Sequence, residues 1–151
     1  MNETFERDLT LLDRALGTVK EAMTREAVTV TPDTKGSDAL RRLEAAKVSG
    51  APVVEHGRVV GMFTTSDILA PGAVVGEIMS RDVVTADPEW SLTQAATVME
   101  AVGVNRLPVV DALYRPIGIL TRDDIVRAVA RRAQLAGRID FASGDGIIRL
   151  P

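Results

Sequence analysis

Two seven-residue stretches carry the residue types best suited to chemistry. They are Gly61-Met62-Phe63-Thr64-Thr65-Ser66-Asp67 and Gly118-Ile119-Leu120-Thr121-Arg122-Asp123-Asp124. In each, an apolar run after a glycine ends in a threonine, and a carboxylate follows three residues later. A hydroxyl and a carboxylate beside the free N–H groups of a helix start suit a polyol phosphate. The N–H groups and hydroxyl favour phosphate oxygens, and the carboxylate accepts hydrogen bonds from a ribose diol. The same Thr-x-x-Asp spacing also makes an ordinary helix-capping box. Its double occurrence is what favours a site.

The elements that position the two stretches also come in pairs. Met23 and Met79, Pro32 and Pro88, and Pro52 and Pro108 are each 56 residues apart. Gly61 and Gly118, like Asp67 and Asp124, are 57 apart. The extra residue therefore lies between the last two strands, where hairpin turns tolerate insertion. Each half reads as β-α-β-β-α: an extended piece at 27–31 or 83–86, then a helix near 37–47 or 91–102. A strand beginning at Pro52 or Pro108 follows, then the glycine-containing strand, 58–63 or 116–120. A second helix is expected to start at each Thr-x-x-Asp. In the first half Gly36 stands where the second has Leu92, which weakens that helix.

The fold class is thus α+β, with two repeats packed with pseudo-twofold symmetry, since a unit of about 55 residues buries too little surface alone. The expected divisions are an N-terminal helix at 1–18, repeats at 19–73 and 74–133, and a tail at 134–151. Phe5, Leu9, Leu12 and Leu16 make the stripe of the N-terminal helix, and Gly17 ends it.

Composition excludes several functions. The 151 residues carry a net charge of −3, no cysteine and one histidine, with 46% hydrophobic and 3% aromatic residues. The charge argues against nucleic-acid binding driven by electrostatics. Thiol chemistry and disulfides are absent, and His56, in a turn, offers neither a triad nor a zinc site. No metal site, catalytic residue or catalytic cofactor is expected. Neither a membrane span nor a signal peptide is evident, so a cytoplasmic location is the expectation. Trp90 reads as a cover over a helix start. The basic residues Arg127, Arg131, Arg132 and Arg138 read as a solvated face, with an anion site as the sharper alternative.

The order Val-x-Glu-x-Met, Thr-x-x-Pro, Pro-Val-Val and Gly-h-h-Thr-x-x-Asp (h, apolar), occurring twice over about 19–130, resembles a tandem pair of CBS domains, a Bateman module. That resemblance implies a non-catalytic sensor with two clefts for an adenosine-containing ligand: AMP, ADP, ATP, S-adenosylmethionine or NAD. It implies that Asp67 and Asp124 accept from ribose hydroxyls, while Thr64 and Thr121 contact ribose or phosphate, with Ser66 beside the first pair. The segments Val48-Ser49-Gly50-Ala51 and Val104-Asn105-Arg106-Leu107 would hold adenine. Met23 and Met79 would pack near the base, and Arg122 and Arg106 would meet phosphate. It also implies a homodimer, with Ile68, Leu69, Ile125, Val126 and Val129 as contact candidates, and an unknown regulated protein. The alternative is a ligand-free interaction or dimerisation module, or less favourably a nucleic-acid binder.

Overall fold

A computed structural model describes residues 16–25, 27–67 and 70–135. Most of the N-terminal helix stripe, Ile68, Leu69, Arg138 and the tail beyond residue 135 lie outside the described residues. Among the described residues nine elements follow one another: α1 (Val19–Ala22), α2 (Gly36–Ala46), β1 (Gly50–Glu55), β2 (Arg58–Thr64), α3 (Val75–Ile78), α4 (Leu92–Val102), β3 (Arg106–Val110), β4 (Pro116–Thr121) and α5 (Arg122–Leu135). The strands form two antiparallel hairpins, β1–β2 and β3–β4.

The two repeats build corresponding elements with the same chemistry. Glu21 Oε1 accepts the Thr18 N–H at the start of α1, as Glu77 Oε1 accepts the Val74 N–H at the start of α3, each at 3.2 Å. Helix α4 buries Leu92, Ala95 and Met99, and α2 buries the equivalent Gly36, Ala39 and Leu43. Gly36 thereby forgoes the roughly 2 kcal/mol that burying a leucine side chain contributes. Helices α2 and α4 close on left-handed residues, Lys47 at φ 57° and Gly103 at φ 80°. The chain then turns directly into the segments at 48–51 and 104–107. The hairpin β1–β2 is joined by His56 and Gly57, both at positive φ, and His56 is solvent-exposed.

Two details depart from the expected β-α-β-β-α plan. The extended pieces do not become full strands. Each joins its hairpin by one parallel bridge, Val30 to Val53 and Ala86 to Val109. The Pro52 and Pro108 carbonyls accept the Val30 and Ala86 N–H groups at 3.1 and 2.8 Å, and the Val54 and Val110 N–H groups donate back to the Val30 and Ala86 carbonyls at 2.8 and 3.1 Å. Among the described residues the second helix is present only in the second repeat. After Thr64, residues 65–67 make a turn in which the Asp67 N–H donates to the Thr64 carbonyl at 3.1 Å. Among the described residues no helix intervenes before α3. Pro71 disfavours helical geometry in the residue before it, and Gly72 takes φ 78°. Thr121, by contrast, is followed by 14 helical residues without Pro or Gly.

Backbone bonds at the repeat starts are exchanged. The Val19 N–H donates to the Trp90 carbonyl at 2.9 Å, and the Val75 N–H donates to the Thr34 carbonyl at 2.8 Å. The Leu92 N–H reaches the Gly17 carbonyl, and the Gly36 N–H reaches the Ala73 carbonyl. Thr24 bridges Ile119 of β4, and Ser80 bridges Met62 of β2. The first segment of each repeat is therefore bonded into the other repeat.

Two compact units result, and neither coincides with a repeat. One comprises the described residues of Met1–Met23, Glu89–Arg106 and Leu120–Pro151. In it α5 packs against α1 and α4, over buried Val19, Leu92, Ala95, Met99 and Leu120. The other comprises Thr24–Pro88 and Leu107–Ile119. Its core gathers Val30, Leu43, Val53, Phe63, Val75 and Met79.

The longer connection of the second repeat, 111–115, is organised by Asp111. Its Oδ1 accepts the N–H groups of Leu113 and Arg115 at 2.9 Å, and its Oδ2 accepts Arg115 Nε at 2.7 Å. The Arg115 N–H and, less strongly, its guanidinium and the Leu113 N–H hold the carboxyl below its ordinary range, against a smaller effect of burial. A carboxylate with a depressed folded-state pKa stabilises the fold above its unfolded value and loses that contribution as pH falls through the folded value. Wild type and Asp111→Ala should therefore differ in unfolding midpoint at neutral pH and converge as pH falls below about 4. Denaturant titrations at several pH values check this.

Candidate functional site

Each Thr-x-x-Asp motif lies within one unit, beside the segment that precedes its hairpin's first strand. In the first, the Thr65 N–H donates to the Ser49 carbonyl at 2.9 Å, and Gly50 pairs with Thr64 across β1 and β2. In the second, the Arg122 N–H donates to the Asn105 carbonyl at 2.8 Å. The fold thus brings Val48–Ala51 to Thr64–Asp67, and Val104–Arg106 to Thr121–Asp124. Within those segments Val48, Ser49 and Asn105 are exposed, whereas the Ala51 and Leu107 side chains are fully buried. The Ala51 and Leu107 side chains therefore pack into the core.

The methionines arrive from the opposite repeat. Met79 precedes Ser80, which bridges Met62, and lies so close to Gly61 that a Cβ there would sit 2.5 Å from its Sδ. Gly61 thus lets a thioether press onto β2 next to the first motif. Met23 ends α1, the helix that packs against α5 beside the second motif. Both methionines are buried.

The two carboxylates differ. Asp124 is buried; its Oδ2 accepts the Thr121 N–H at 2.8 Å, and its own N–H donates to Thr121 Oγ1 at 3.2 Å. That is a reciprocal capping box at the start of α5. Its Oδ1 accepts a bond from Arg127 Nη2. Asp67 Oδ2 likewise accepts the Thr64 N–H at 2.8 Å, but Thr64 Oγ1 is bonded to exposed Ser66 Oγ at 2.8 Å, and no helix follows to be capped. The first motif is therefore a turn with a half-exposed carboxylate, and the second a helix cap whose buried carboxylate pairs with an exposed arginine. Arg127 was legible in sequence only as part of a basic face. Its three-residue spacing from Asp124 is the signal for this contact.

The phosphate candidates also diverge. The Arg122 side chain is 62% exposed and 4.0 Å from Glu100, a loose surface pairing that leaves it accessible. Arg106 bonds Asn105 Oδ1 through Nε, and burial lowers its guanidinium from the ordinary value. Trp90 is half-buried, with its carbonyl on α1 and Ser91 Oγ capping α4. Of the dimer candidates described, Val126 and Val129 are exposed and Ile125 is half-buried. No helix among the described residues is long and apolar enough to cross a membrane.

The CBS domain family model matches residues 19–71 and 75–131, and the chain belongs to the CBS domain family, with two tandem copies. Over 118 residues it is 34% identical to an inosine-5′-monophosphate dehydrogenase of Methanocaldococcus jannaschii, a match covering 76% of this chain and 24% of that enzyme. The chain spans well under half the length of the first curated relatives it matches. Among solved structures, CBSX2 in complex with AMP is 34% identical, with a TM-score of 0.71 over 76% of this chain and 97% of that one. CBSX2 is a CBS-pair protein of Arabidopsis thaliana. The CBS domain pair of protein MJ0100, in complex with 5′-methylthioadenosine and S-adenosyl-L-methionine, is 28% identical; its TM-score is 0.71 over 76% and 97% of the two chains.

The asymmetry of the motifs has a measurable consequence. Asp124→Ala removes a helix cap and leaves Arg127 without its carboxylate, so it should cost about 1–3 kcal/mol in urea unfolding. Asp67→Ala removes one bond in a turn and should cost about 0.5–1 kcal/mol. Equal losses would contradict the structural difference.

Proposed function

We propose that the chain is a non-catalytic regulatory module that binds an adenosine-containing ligand at its two Thr-x-x-Asp motifs. The observation that carries this reading is the paired grouping in each unit: a threonine and carboxylate beside the segment that leads into the hairpin. It recurs in a chain whose solved relatives hold AMP, or 5′-methylthioadenosine and S-adenosylmethionine. In the proposed complex, Asp67 and Asp124 accept from ribose hydroxyls, and Thr64, Ser66 and Thr121 contact ribose or phosphate. Val48–Gly50 and Val104–Asn105 line the base, with Met79 and Met23 packed nearby, and Arg122 or Arg106 meets phosphate.

Regulation follows from how these groups are assembled. Each motif comes from one repeat, but the methionine beside it comes from the other. A ligand that contacts both draws on groups that must hold one arrangement. It shifts the protein only as far as it binds that arrangement more tightly than the alternatives. The regulated partner would be a protein acting in the cytoplasm, and a second copy of the chain is the expected assembly, using exposed Val126 and Val129.

Thermal unfolding with AMP, ADP, ATP, NAD and S-adenosylmethionine tests the reading. A ligand that binds only the folded state at 100 times its dissociation constant stabilises by about 2.7 kcal/mol, a rise of several degrees in midpoint. At least one of the five should raise the midpoint in wild type, and the rise should shrink in Asp67→Ala or Asp124→Ala. No rise with any of them would favour a ligand-free interaction module.

A further inference from the structure

A cavity of about 250 Å³ opens beside the second motif, between α1 and α5. Its charged lining is Glu21, Asp124, Arg127, Arg131 and Arg132. Both carboxylates are already engaged. Glu21 Oε1 accepts the Thr18 N–H and hydroxyl, and Asp124 is bonded to Thr121 and Arg127. Among the described residues neither Arg131 nor Arg132 has an ion-pair or hydrogen-bond partner. Three guanidinium groups thus face two committed carboxylates, in a chain whose net charge is −3. The small side chains of Ala22 and Ala128 keep the space between the helices open.

We propose that this cavity binds a phosphate chain, so that the Asp124 motif holds a nucleoside di- or triphosphate more tightly than a monophosphate. The inference rests on the adenosyl-ligand reading above. Asp124, Arg127 and Arg131 stand at i, i+3 and i+7, on one face of α5. With about 1.5 Å of rise per residue, Arg131 and Arg132 lie roughly 10–12 Å along the axis from Asp124. A ribose at Asp124 then places the first phosphate by Arg127, in place of Arg122 or Arg106, and the later ones towards Arg131 and Arg132. Guanidinium forks match phosphate oxygens in pairs. A helix C-terminus attracts cations, which explains Arg132 in the last turn, but Arg127 and Arg131 lie before it. The first repeat offers no such row, because no arginine or lysine stands between Asp67 and α3.

Isothermal titration with AMP, ADP, ATP and inorganic tripolyphosphate tests the proposal on wild type and Arg131→Ala/Arg132→Ala. Both arginines are exposed, so the double variant should unfold at the wild-type midpoint without ligand. The expected result is ATP binding about tenfold or more tighter than AMP, with that advantage lost in the variant and AMP binding unchanged. The variant Arg131→Lys/Arg132→Lys should keep part of it. If AMP binds as tightly as ATP and the variant changes neither, the phosphate site is wrong while the adenosyl reading stands. If tripolyphosphate binds, loses affinity in the variant, and no nucleotide binds, the anion site stands and the adenosyl reading fails. If none of the four binds, both fail.

Discussion

The exchanged backbone bonds at the starts of the repeats set the terms for everything else in this fold. Val19 is bonded to Trp90, and Val75 to Thr34. With a core made almost wholly of aliphatic side chains, a repeat of this size buries little surface on its own. By giving its first helix to the other repeat, each copy gains a second layer without needing a larger sequence. The same exchange carries Met79 to the first motif and α1, with Met23, to the second. Stability and site assembly therefore depend on one set of contacts.

Duplication preserved the groups and then let their surroundings drift. Thr64 and Asp67 keep the Thr-to-carboxylate bond of Thr121 and Asp124, at the same 2.8 Å. Among the described residues no helix follows Asp67 before α3, and Pro71 and Gly72 stand where one would continue. Asp124 lies in the first turn of α5, is buried, and pairs with Arg127. The second motif is stabilised by its own cap, which holds its carboxylate in place. The first is a turn with fewer internal ties.

Much of this was legible in the sequence because the signals were periodic or repeated. The 56-residue offset located the helices near 37–47 and 91–102 and both hairpins. The apolar spacing of Leu92, Ala95 and Met99 predicted the buried face of α4. The one-residue drift placed the longer turn at 111–115, where Asp111 now accounts for it. Three features were not legible. The missing helix after Thr64 turned on Pro71, whose effect the strong Thr-x-x-Asp signal masked. The exchange of repeat starts is a long-range pairing, and no local pattern encodes which repeat a segment joins. The cavity beside α5 depends on Ala22 and Ala128 being small on facing helices, a coincidence visible only in three dimensions.

The central claim is that the paired Thr-x-x-Asp groups are where an adenosyl ligand binds. Backbone amide chemical shifts of the full chain, followed during titration with AMP, test it most directly. The account predicts saturable shifts concentrated at 48–51 with 64–67, at 104–107 with 121–124, or at both. Saturable shifts confined to other residues, or no shifts at millimolar AMP, would contradict it.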